Sequence, residues 1–171
     1  MHVQLDLEGM SQYDDTILTH YRNSACGPTT AYVILNYLRK NQDASVNTLY
    51  KKLGSTKIGL FKWRLIRNLR KYLGPTWLVE ECTVKDALQE LDEGRPVAMK
   101  FDQYFTLQWR AKATFKYHWV PLIGYEMKDE QLYLIVHDNG GPNRPSRVRT
   151  VPYTDHNRKV LSFVKIAPKL N

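Results

Sequence analysis

Along the first half of the chain apolar residues recur every three or four positions; along the second half they fall in short runs of β-branched and aromatic residues. That change of period separates helix from strand. Ala31, Ile34, Leu35 and Leu38 mark one stripe of a helix beginning near Cys26. Pro28 suits its first turn, where a missing N–H is harmless, and Arg39 and Lys40 suit the negative end of its dipole. A short helix is predicted after Ser45 or Asn47, through Leu49, Tyr50 and Leu53 to Gly54. "GLFKWRLIRNLRKYLG" predicts a third, with Leu60, Phe61, Leu65, Leu69 and Leu73 on one side. Thr83 followed by Asp86 has the form of an N-cap with an acidic first turn, opening a helix through Leu88 and Leu91 to Gly94.

Four strands are predicted from "RPVAMKFD", "YHWVPLIGYE", "QLYLIVHD" and "KVLSFVKIA". The polar "MKDEQ" between the middle two makes them a hairpin. Helices first and strands afterwards indicate an α+β protein. With no repeat, low-complexity tract or linker, residues 1–171 read as a single domain, with a mainly helical lobe over 1–94 and an antiparallel sheet lobe over 95–171.

A hydrophobic content of 43% over 171 residues supports a packed core. No run of eighteen apolar residues predicts a transmembrane helix, and the acidic start "MHVQLDLEGMSQYDD" is unlike a signal peptide, so a cytoplasmic location is expected. Two cysteines in unrelated contexts give no disulfide framework. The net charge of +8 fits nucleic acid, an anionic surface, an acidic ligand or solubility alone.

The candidate chemistry centres on Cys26. An ordinary thiol, with a pKa of about 8.5, is mostly protonated at neutral pH. A helix N-terminus carries roughly half a positive charge, and a nearby imidazolium adds a full one. A free cysteine is also a small hydrophobe that packs well, so position alone leaves both readings open. Of five histidines, His2 and His156 sit in polar segments, whereas His118 opens an apolar strand. His137 and Asp138 close the partner strand, just before the turn "NGGP". With the hairpin turn around Lys128–Asp129, residues whose numbers add to about 256 face each other, which sets His118 opposite Asp138. Their Cβ atoms would be about 4.5–5.5 Å apart, while a one-residue slip would bring His137 to that face instead.

Other candidates are weaker. Cys82 follows two glutamates, which disfavour a thiolate, so an inert thiol is expected. No Cys/His spacing fits zinc and no phosphate loop is present, so neither metal nor cofactor is expected. Lys57, Lys62, Arg64, Arg67, Arg70 and Lys71 interleave with Phe61, Trp63 and Tyr72. Such a helix can lie on lipid or DNA phosphates, or be a solvated face whose basic stems cover apolar surface.

"SACGPTTAYVIL", "HWVPLIGY" and "VHDNGG" resemble the papain-like peptidases of the bacteriocin-processing, double-glycine leader peptidase type. The likeness runs from about Leu18 to Gly140 in the order Cys, His, Asp. It implies a papain-like fold with Cys26 as nucleophile, His118 as general base and then acid, and Asp138 as the group orienting the imidazole. It also implies peptide or protein substrates, cut after small residues such as a Gly-Gly pair, and no nucleic acid partner. The basic helix would form one cleft wall, where Arg64 and Arg67 would select an anionic substrate. Papain's own signature has an aromatic directly after the cysteine, where this chain has Gly27.

Papain-like enzymes place a Gln about six residues before the nucleophile, and here that position is His20. His20 or Asn23 is therefore the candidate oxyanion donor beside the backbone N–H of Cys26. Losing such a donor costs about 10²–10³ in rate. The expected chemistry is amide hydrolysis through a thioester. An acyltransferase, a peptide-binding relative that does not cut, and a basic nucleic-acid or membrane module are the alternatives.

Overall fold

The computed structural model describes residues 1–39, 44–103 and 117–169. In chain order the elements are β1 (His2–Gln4), α1 (Thr19–Arg22), α2 (Cys26–Arg39), α3 (Val46–Leu53), α4 (Lys62–Leu73), β2 (Trp77–Cys82) and α5 (Val84–Asp92). They continue with β3 (Val97–Asp102), β4 (Tyr117–Lys128), β5 (Gln131–Asp138), β6 (Arg147–Pro152), α6 (Asp155–Arg158) and β7 (Leu161–Pro168). Lys40, expected at the end of α2, lies outside the described residues, as does the side chain of His156 in α6.

The strands form one antiparallel sheet in the order β2-β7-β3-β4-β5-β6, and β1 pairs with the far part of β4. Side chains alternate across a strand, and this sheet is covered on both faces. Ala98, Trp119, Val164 and Ile166 pack with Ile34 and Leu35 of α2, Leu49 of α3, and Leu65 and Leu69 of α4. Their neighbours Met99, Phe101, Val120 and Phe163 point the other way and pack with Ala87 and Leu91 of α5. Burial on both faces explains why every residue of β3 is buried. The cap expected at Thr83 is a full capping box, in which Thr83 accepts from the Asp86 N–H and Asp86 accepts from the Thr83 N–H.

Three strands went unanticipated. β2 and β6 each pair with a single neighbour, β7 and β5 respectively, and are the edges of the sheet. Edge strands carry polar side chains, so "WLVEEC" and "RVRTVP" hold little apolar alternation to reveal them. β1 and β2 also bring two segments of the first 94 residues into the sheet, and α5 packs on the face opposite α2–α4.

The hairpin of β4 and β5 is present with a corrected register. Its turn is Asp129–Glu130, both at positive φ, and not Lys128–Asp129. Facing residues add to 259 from Lys128–Gln131 to Gly124–Ile135, and to 258 at Leu122–Val136, after a bulge. The expected sum of 256 is therefore wrong: the 258 register, continued by two residues, sets Asp138 across from Val120. His118 is two residues before Val120 and shares its side of the strand, so a diagonal relation replaces the direct one.

Candidate active site

Cys26 is the first residue of α2, and the carbonyl of Ala25 accepts the first helical bond, from the Thr29 N–H at 2.8 Å. Pro28 has no N–H to offer, and the Gly27 N–H donates to the Cys26 sulfur. A Cβ on Gly27 would come within 2.7 Å of the Leu60 side chain and 3.2 Å of the Trp119 ring. Glycine therefore lets the helix start close down on β4, where the Trp119 N–H also donates to the sulfur.

His118, near the start of β4, is hydrogen-bonded on one side to Cys26 and on the other to Asp138, with Nε2 3.1 Å from Asp138 Oδ1. Nε2 is thus committed to the carboxylate, which leaves Nδ1 for the sulfur. Asp138 has no exposed surface and is held by more than histidine. Arg144 donates to its Oδ2, Arg149 does so at 3.2 Å, and the Gly140 N–H donates to Oδ1 at 3.2 Å. Two guanidinium groups keep the carboxylate charged and leave it little tendency to take the imidazolium proton.

The electrostatics follow from these contacts. Burial pushes the Cys26 thiol up, but the hydrogen bond and charge of His118, with the two backbone N–H groups, outweigh it and leave it below the ordinary value. Burial pulls His118 down, but Asp138 and Cys26 together raise it to about 9. Burial opposes ionisation of Asp138 too, yet His118 and Arg144 bring it well below the usual carboxylate range. Cys26 and His118 therefore each favour the charged form of the other, the imidazolium the thiolate and the thiolate the imidazolium.

Cys26 and His118 line an open cleft of about 380 Å³ together with Gln12, Tyr13, Asn23, Ser24, Gly140, Gly141 and Arg144, while Asp138 is buried outside its lining. His20 does not line it; it is exposed and packs on Tyr21, ring centroids 4.2 Å apart. Asn23 stands at the rim and accepts a bond from the Tyr13 hydroxyl at 3.0 Å. His137, the alternative to His118, packs its ring against Gly9 and is absent from the lining.

Besides Arg144 and Arg149, the residues at or beside the site that escaped the sequence reading include Gln12, Asn139 and Lys100. Gln12 is buried at the cleft, its Nε2 donating to Arg22 O at 2.8 Å while Oε1 has no partner among the described residues. It lies fourteen residues before Cys26, where the expected spacing of six does not reach. Asn139, expected only as part of a turn, is fully buried. Its Nδ2 lies within hydrogen-bond distance of Cys26 O (3.1 Å), Trp119 O (2.9 Å) and Thr30 Oγ1 (2.9 Å), tying the helix start to β4. Lys100 of β3 is buried beside Asp102 at 2.8 Å, with its ammonium 4.6 Å from the Tyr117 ring centroid and 5.6 Å from that of Trp119. Within a strand that reads as apolar, neither Lys100 nor Asp102 signals a buried pair.

Among the described residues no three His, Cys, Asp or Glu side chains gather to hold a metal, and no helix is long and apolar enough to cross a membrane.

A helix opening on a cysteine and packed on an antiparallel sheet that carries histidine and aspartate is the architecture of the papain-like fold. The sequence model of the Peptidase_C39 like family matches residues 4–166, so the chain belongs to that family. No curated protein sequence matches it. Among solved structures it is similar to a candidate C39-like peptidase from Bacillus anthracis, at 15% identity and a TM-score of 0.64, covering 99% of this chain and 100% of that one. It is also similar to UfSP from C. elegans, at 10% identity and a TM-score of 0.62, covering all of this chain but 35% of that one. At such identities the likeness is one of fold.

Proposed function

We propose that the chain is a cysteine peptidase that cleaves a peptide bond through a thioester on Cys26. The observation that carries this reading is the series Cys26–His118–Asp138, whose first two members line an open cleft and whose third is buried against the histidine. The thiolate attacks the scissile carbonyl carbon, and the imidazolium of His118 gives its proton to the departing amine. The neutral imidazole then takes a proton from water as that water attacks the thioester, which releases the carboxylate and restores the pair. Asp138 holds the ring and stays ionised throughout.

The oxyanion formed in both steps needs donors already in place. In this proposal the backbone N–H of Cys26 is one and Gln12 is the other, in preference to His20 or Asn23. A primary amide nitrogen carries two hydrogens, and Arg22 O takes one of those on Gln12 Nε2. The second is available to the cleft, whereas Asn23 is exposed at the rim and His20 is outside it.

The test is hydrolysis of a peptide library followed by mass spectrometry. Cleavage by the wild-type chain and none by Cys26→Ala supports the reading; equal cleavage by both overturns it. Products joined to an added amine, in place of free carboxylates, would make the protein an acyltransferase working with the same residues.

A further inference from the structure

Of the 25 basic residues in the chain, eight lie between Ala44 and Val79, a stretch without Asp or Glu. The remaining 17 are matched by 17 acidic residues, so the whole excess of +8 belongs to α3, α4 and their connections. α4 turns Leu65, Leu69 and Leu73 to the core. At about 100° per residue its opposite face carries Trp63, Arg64, Arg67 and Lys71. Trp63 is 57% exposed, with the Arg64 guanidinium 5.1 Å from its ring centroid. Lys62 is paired with Glu81, but Arg67 and Lys71, like Lys51 and Lys52 of α3, are exposed and have no acidic partner among the described residues.

This charged unit is continuous with the cleft. The turn Lys57–Gly59 between α3 and α4 forms part of the cleft lining, and Ile58 at its tip is 64% exposed. Gly59 has φ 112°, and a Cβ there would lie 2.6 Å from the Tyr117 ring, so the turn is pressed onto β4 beside His118. A cleft of about 380 Å³ suits an extended polypeptide better than a lipid surface or a duplex, and Lys57 in its lining belongs to the same basic stretch that runs on into α4. Exposed apolar groups among cations suit a partner that mixes carboxylates with apolar side chains.

The geometry points to the α3–α4 face as a docking surface for an acidic segment of the polypeptide substrate that also carries apolar residues, away from the scissile bond. The inference rests on the peptidase reading of the cleft. Single exposed ion pairs contribute little, so docking is multivalent, salt-sensitive and expressed in KM more than in kcat.

The test measures fluorescence anisotropy of a labelled peptide of glutamate, leucine and glycine with the full chain carrying Cys26→Ala. Its lysine counterpart, phosphatidylglycerol vesicles and duplex DNA are measured beside it. The glutamate peptide should bind more tightly than all three and weaken as salt is added. Arg67→Glu with Lys71→Glu should lower that affinity about tenfold without altering thermal unfolding, and Arg67→Gln with Lys71→Gln should fall between. Equal binding by the reversed and unaltered surfaces overturns the proposal, as does tighter binding to vesicles or DNA. Binding needs no cleavage: an inert Cys26 with peptide docking intact defeats the peptidase reading alone, and a cleaving enzyme indifferent to these charges defeats this one alone.

Discussion

The two cysteines of this chain both stand at the start of a helix, and their chemistry is opposite. Cys26 opens α2, while Cys82 ends β2 one residue before Thr83, the N-cap of α5. Cys26 faces His118 and two backbone donors, and its pKa falls below that of an ordinary thiol. Cys82 is half-buried and faces Asp86 and Glu90; burial first, and those carboxylates next, push it up to about 12. A helix terminus supplies only a fractional charge, which burial can cancel. The imidazole makes the difference, and only the sheet brings it there.

The comparison breaks most completely if Cys26 is removed. Cys26→Ala should lower peptide turnover by about 10⁴–10⁶-fold, read as product per unit time by mass spectrometry. Gln12→Ala should cost about 10²–10³ in kcat and leave the alkylation rate of Cys26 unchanged, since the amide acts on the oxyanion and not on the thiolate. An altered alkylation rate would make Gln12 part of the thiolate's support instead.

His118→Ala converts Cys26 into the likeness of Cys82, because burial then acts with no imidazole to oppose it. In the wild type, iodoacetamide should modify Cys26 well below the pH at which it modifies Cys82, and in His118→Ala both should need alkaline conditions. The imidazolium persists to about pH 9, so kcat/KM should fall above that value. The linkage has the same sign: His118 has a folded pKa raised from 6.5, so its contribution to stability is full below about 6.5 and is lost as pH rises through about 9. Thermal unfolding across that window checks it.

Asn139→Leu removes the two N–H hydrogens that Cys26 O, Trp119 O and Thr30 Oγ1 share, and should cost about 3 kcal/mol in denaturant unfolding. Cys82→Ser sharpens the comparison by doing almost nothing: turnover should stay within about twofold, as for surface substitutions away from the site.

Much of the fold was legible because its elements have strong periods. The stripes of α2, α3 and α4, the Thr83 cap and the apolar runs of β3, β4, β5 and β7 each carry a local signal. β2 and β6 do not, since an edge strand is defined by its partner. Within the site, Cys26, His118 and Asp138 could be picked out as residue types at element ends. The hairpin register could not, because the bulge between Leu122 and Gly124 shifts it without a turn residue to mark it.

The sequence by itself determined the residues that open α2, the stripe that buries it and the charge that collects on α3 and α4, since these depend on neighbours a few positions apart. Only the tertiary structure decided which histidine meets the thiol, that Asn139 ties Cys26 to Trp119, and that Gln12 stands in the cleft. Those contacts join residues from 14 to 113 positions apart, and packing sets the approach of such distant groups.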